Sequence, residues 1–288
     1  MIDAPDDNIY DAPAQFSRRA FIVGGLAAGF AFAVLPVSAE TITTDAKGLT
    51  VGEVRVPVDG GTIPAYRAMP DSGGPLATIL VVQEVFGVHE HIKDICRRLA
   101  KVGYFAVAPA LYAREGDVAG MKDISQIMQV VTKVPERQVA SDLDATVSWA
   151  RSTGKADTSK LGIVGFCWGG RQVWLYAAHN PKLKAGVSWY GVLQRPKNAM
   201  TPDNPIDLVQ NINAPILGLY GGADPAIPVA QIDALRAALK RVEKSSEIVV
   251  YPDTPHGFNA DYRPSYRPQQ ALDGWSRMLA WFRKYGVA

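Results

Sequence analysis

Chemistry in this 288-residue chain could start at one cysteine. Cys167 stands at the tip of Gly165-Phe166-Cys167-Trp168-Gly169-Gly170, between the apolar run 161–164 and a helical pattern over 171–179. A strand that stops at a small-residue turn and feeds a helix is the layout of a nucleophile elbow, G-x-S-x-G, with cysteine in the serine position. The turn is sharp, so neighbouring side chains would collide with backbone, and the strain lifts the sulfur clear of the sheet. The helix N-terminus behind it lowers the cost of a thiolate, the form that attacks a carbonyl. The alternative is plainer: free cysteine also packs as a small hydrophobe at strand ends. Two further residues weigh against that. Asp224 follows the apolar run 215–220 in Gly221-Gly222-Ala223-Asp224, and His256 follows the run 247–251 in Pro252-Asp253-Thr254-Pro255-His256. Nucleophile, acid and base thus come in the chain order of an α/β-hydrolase, each on a turn after a strand. Asp253 is a competing acid, but it lies on the histidine's own loop and suits shaping that loop.

The elements needed to hold such residues can be read around them. Residues 51–58 and 62–68 alternate about Asp59-Gly60-Gly61, a hairpin pattern. The runs 77–82 and 104–108 are continuously apolar, as strands covered on both faces are. Helical spacing recurs at 90–102, 136–151, 229–242 and 269–285, and 185–189 is another short strand. Alternating strand and helix predicts an α/β fold of the α/β-hydrolase kind, with a mostly parallel central sheet, helices on both faces and an antiparallel opening hairpin. Ligands bind such sheets at the carboxyl ends of the strands, where the candidate residues fall. The polar stretch 112–133 is expected to cap the site without regular structure.

Four motifs give the chain a resemblance. Gln83-Glu84-Val85-Phe86-Gly87, Ala108-Pro109-Ala110-Leu111-Tyr112-Ala113-Arg114, the cysteine elbow and His256-Gly257-Phe258 resemble the dienelactone hydrolases (carboxymethylenebutenolidases) over about residues 50–285. The resemblance implies hydrolysis of a lactone or small ester by Cys167, His256 and Asp224. It further implies that Glu84 takes the cysteine's proton when an anionic substrate displaces it, and that the Val85 and Trp168 N–H groups form the oxyanion hole. Arg114 matches an arginine that grips a substrate carboxylate. The family's second such arginine falls at Ala260, with Arg263 or Arg267 as replacements from a rearranged loop. Trp168 and Tyr190 are candidates to line the pocket, core packing being the other reading of large aromatics near strand ends. The alternatives are a broad carboxylesterase or thioesterase, or a non-catalytic periplasmic binding protein on the same fold.

Other classes are excluded by composition. Thirty basic against 28 acidic residues give a formal charge of +2, too mild for a nucleic-acid surface, and no run of five like charges occurs. The two cysteines, Cys96 and Cys167, make no disulfide framework, and bridging them would consume the nucleophile. His89, His91, His179 and His256 have no zinc spacing, and no metal or cofactor is called for. The N-terminus carries Arg18-Arg19, an apolar segment over 20–35 and Val37-Ser38-Ala39, the order of a secretory signal with a small-residue cleavage site. The paired arginines resemble a twin-arginine export signal. Residues 1–39 are therefore predicted to be that signal, handled by twin-arginine export machinery, and 40–288 a single periplasmic domain. The apolar segment falls short of the ~20 residues a membrane helix needs, so no stable insertion is expected after processing.

Overall fold

The computed structural model describes residues 42–288, so the predicted signal lies outside the described residues. Eight strands form one sheet in the order β1-β2-β4-β3-β5-β6-β7-β8. The opening pair, β1 (Leu49–Val58) and β2 (Gly61–Pro70), is antiparallel with Val58 opposite Gly61. That register leaves Asp59-Gly60 as a two-residue turn, and Gly60 supplies the φ of +81° it requires. β2 runs antiparallel to β4 (Phe105–Pro109). From there β3 (Leu76–Val82), β5 (Ala156–Phe166), β6 (Ala185–Trp189), β7 (Ile216–Gly221) and β8 (Glu247–Tyr251) are all parallel. β4, β6 and β7 are buried along their whole length, and this produces their unbroken apolar runs.

Among the described residues, α1 (Glu90–Lys101), α2 (Ile124–Val131), α3 (Glu136–Ser152), α4 (Trp168–His179) and α5 (Val229–Arg241) connect the strands, and α6 (Pro268–Lys284) follows β8. Two adjacent residues of β5 show that both faces are covered. A side chain at Gly162 would meet Phe282 of α6, whereas Ile163, pointing the other way, packs with Val173 of α4 beside Gly186. The carboxyl ends of β3, β5, β7 and β8 consequently open on one edge of the sheet.

Two expectations need correction. The stretch 112–133 is not irregular throughout, because α2 forms within it. Asp123 caps that helix by accepting from the Ser125 N–H at 2.7 Å, and Ile127, Val130 and Val131 are buried. The elbow helix begins at Trp168, not at 171, so both elbow glycines are helical.

Candidate active site

Cys167 immediately precedes α4 with φ of +55°, a left-handed conformation that a residue with a Cβ rarely adopts. Close packing enforces it. A side-chain carbon at Gly169 would come within 2.4 Å of the Val82 carbonyl oxygen and 2.5 Å of the Gln83 oxygen, and one at Gly170 within 2.6 Å of the Trp189 oxygen. The helix start is therefore wedged between the ends of β3 and β6, and only glycine allows that approach. Gly169→Ala is expected to lower the thermal midpoint markedly, by ~1–3 kcal/mol or more of stability, because rigid backbone cannot yield. An unchanged midpoint in scanning calorimetry would contradict this packing.

Asp224 and His256 are held by loops stitched to each other. Gly222 N–H donates to the Tyr251 carbonyl at 2.7 Å and Ala223 N–H to that of Thr254 at 3.0 Å. His256 Nδ1 then meets Asp224 Oδ2 at 2.6 Å, while the acid's other oxygen accepts from the Ala226 N–H at 2.8 Å. Burial alone would lower the His256 pKa. The Asp224 carboxylate and the neighbouring Cys167 outweigh it and push the value up to about 10. Asp253 is exposed, with a φ of +52°, and takes no part in this pairing. Tyr190 is fully buried in a strained conformation, φ +38°, with its ring 5.0 Å from that of His256.

Glu84 sits in a tight turn closed by the Gly87 N–H donating to its carbonyl at 3.3 Å, which puts Val85 at the tip. Trp168 opens α4, so its N–H has no acceptor within the helix. The Trp168 ring stands edge-on to Tyr112, centroids 4.8 Å apart. Glu84 is wholly buried, and burial would make it neutral. Arg263 and His89 hold it instead far below the usual carboxylate range.

The two arginine expectations part ways. Arg114 donates from one nitrogen, Nη2, to both oxygens of Asp142 and from the other, Nη1, to the Asp59 carbonyl at 3.1 Å. Arg263 is a cation at the site, 7% exposed, stacked 4.4 Å over the Phe86 ring and within electrostatic reach of Glu84, Cys167 and Tyr190. Arg267 donates to the Pro264 and Tyr266 carbonyls of its own loop. Two residues of the cluster escaped the sequence reading: Tyr262, whose hydroxyl donates to Glu84 Oε2 at 2.5 Å, and His89, whose Nε2 lies 3.5 Å from the same oxygen. The only signal for His89 was its position five residues beyond Glu84. A thiol beside an imidazole that is oriented by a carboxylate is an arrangement able to carry out acyl transfer.

The model of the dienelactone hydrolase family matches residues 63–286. This chain belongs to that family. A protein of Methylorubrum extorquens provisionally named carboxymethylenebutenolidase is 61% identical over 279 residues, 96% of each chain. A Bradyrhizobium protein provisionally named 2-oxo-3-(5-oxofuran-2-ylidene)propanoate lactonase is 30% identical, with 86% of this chain and 96% of that one covered. A crystal structure from Klebsiella pneumoniae, provisionally named a dienelactone hydrolase, superimposes with a TM-score of 0.80 at 52% identity, covering 82% of this chain and 99% of that one. The protein is thus a hydrolase on a dienelactone hydrolase fold.

Proposed function

We propose that this dienelactone hydrolase cleaves small lactones or esters bearing a carboxylate, through a cysteine acyl-enzyme. The observation that carries the proposal is His256, set between Asp224 at 2.6 Å and Cys167 on its strained elbow. His256, engaged by Asp224 through Nδ1, holds the cysteine's proton as the sulfur attacks the carbonyl. The Val85 and Trp168 N–H groups receive the oxyanion. Collapse breaks the ring C–O bond, His256 protonates the departing oxygen, and a thioester remains. Water then attacks, giving its proton to His256, and the C–S bond breaks to return Cys167 and release the hydroxy acid.

Arg263 supplies the substrate's counter-charge in this scheme, with Glu84 as its partner in the closed site and Tyr190 as a buried wall beside His256. The lactone in the Bradyrhizobium relative's name also carries a carboxylate. The test is the purified 40–288 chain assayed on carboxylate-bearing lactones, neutral lactones and p-nitrophenyl esters, with mass-spectrometric trapping of acylated Cys167. Carboxylate lactones should give the highest kcat/KM. Arg263→Gln should raise their KM roughly 10- to 100-fold and leave neutral esters nearly unchanged. Arg114→Gln should alter neither, and the reverse pattern would return the anchor to Arg114.

Export remains part of the proposal, on the strength of residues 17–39. Among the described residues no helix is long and apolar enough to cross a membrane. Cell fractionation with wild-type and Arg18→Lys/Arg19→Lys chains should place the first in the periplasm and keep the second inside.

A further inference from the structure

The segment that leaves His256 folds back over the site and carries three consecutive side chains that the reaction scheme does not use together. Asp261 is buried and meets His91 Nδ1 at 3.1 Å and the Arg98 guanidinium at 2.6 Å, both on α1. Tyr262 donates to Glu84 Oε2 at 2.5 Å, with its ring 5.0 Å from that of His89 and 5.2 Å from that of His91. Arg263 stacks on Phe86. One strip of loop thus clips, at three successive positions, onto α1 and the stretch between it and β3. The loop has its own hydrogen bonds, from Ala260 N–H to the Gly257 carbonyl at 2.9 Å and from Arg267 N–H to that of Phe258 at 3.0 Å. It starts at Gly257, whose φ of +73° sets the turn away from His256. Beneath it Cys167 is only 4% exposed.

Resting on the cysteine-nucleophile reading, we propose that Tyr262 is a positioning residue, the latch that holds loop 257–267 closed over Cys167 by gripping Glu84. A buried carboxylate must be neutralised or hydrogen-bonded, and a phenol donating at 2.5 Å to an ionised oxygen makes one of the stronger single bonds available. Glu84 is faced by Tyr262 and Arg263 from the loop, His89 just before α1, His91 in its first turn, Tyr190 after β6 and Tyr112 after β4. Only Tyr262 and Arg263 in that set travel with the loop. Lifting the loop therefore removes the phenol and the guanidinium from Glu84 in one motion. Opening of the loop and loss of its two donors to Glu84 become a single event.

The chain contains its own control, because Cys96 is fully buried in α1 and reacts only when the core opens. Site-resolved alkylation with iodoacetamide reports the open fraction at each cysteine when opening is fast compared with labelling. Tyr262→Phe keeps the ring stacking and loses only the hydroxyl. It should speed labelling of Cys167 roughly 10- to 100-fold, the worth of a charge-assisted hydrogen bond, with Cys96 unchanged. Hydrogen exchange of the 257–267 amides should rise in parallel. Asp261→Asn, which loosens the anchor one residue away, should give the same selective pattern and stands in if Tyr262→Phe folds poorly. Unchanged Cys167 labelling, parallel acceleration at both cysteines, or faster labelling without faster loop exchange would each overturn the latch. None of these readouts needs turnover, so a failure here is separable from failure of the hydrolase mechanism.

Discussion

Cys167→Ala should remove hydrolysis of lactones and esters by about four orders of magnitude or more in kcat while the protein still folds. The change deletes one sulfur from a backbone already set by its neighbours, since the wedge of Gly169 against the Val82 and Gln83 carbonyls survives it. Neither Ser188 nor Cys96 can replace the sulfur. Ser188, on the adjoining strand, is fully buried and donates its hydroxyl to the Gly170 carbonyl at 2.8 Å. Cys96 is buried within α1, and burial pushes its thiol far above the ordinary range, so it stays protonated and inert. Cys96→Ala should accordingly retain full turnover with a loss of ~1 kcal/mol in stability, as for a small core deletion. Steady-state kinetics and thermal melts of the two variants decide the matter. Turnover persisting in Cys167→Ala with normal folding would end the acyl-enzyme scheme.

The meeting of Cys167, Asp224 and His256 was legible because each stands on a short turn after an apolar strand, and strand order fixes where such turns meet. Cys167 follows β5, Asp224 follows β7 and His256 follows β8, so their convergence needed only the parallel sheet. The start of α4 was less legible, since glycine argues against helix in isolation and is here imposed by the approach of strand ends. α2 has a trace in the sequence, the Asp123 cap followed by apolar Ile124, Ile127, Met128 and Val131. The arginines mark the limit of reading by spacing. Arg114 stands at the matching position, yet its guanidinium pairs with Asp142, 28 residues away in sequence. Arg263 reaches the site because loop 257–267 folds back on itself, and that path depends on Asp261 finding His91 and Arg98.

Removal of the base should be nearly as damaging as removal of the nucleophile, and removal of its orienting acid somewhat less so. His256→Ala leaves the thiol proton without an acceptor, and Asp224→Asn leaves the imidazole present but free to adopt the wrong tautomer; losses of roughly 10⁴-fold in kcat are expected, the histidine change the larger. A second readout separates this role from simple destabilisation. Burial works to lower the His256 pKa, yet Asp224 and then Cys167 raise it to about 10, above the ~6.5 of an unfolded histidine. A group whose folded pKa is raised stabilises the folded state fully below its unfolded pKa, and that contribution fades as pH climbs through the folded value. Wild type should therefore lose stability between about pH 6.5 and 10 from this residue. Asp224→Asn deletes the largest raising influence, so burial pulls the imidazole pKa down and the variant should show a shallower decline over the same window. Thermal midpoints of both proteins at pH 6 and pH 10 give the comparison, and NMR titration of the His256 ring gives the pKa directly. Parallel stability curves together with an unshifted imidazole would mean that Asp224 does not govern His256, and the proton relay would need another acid.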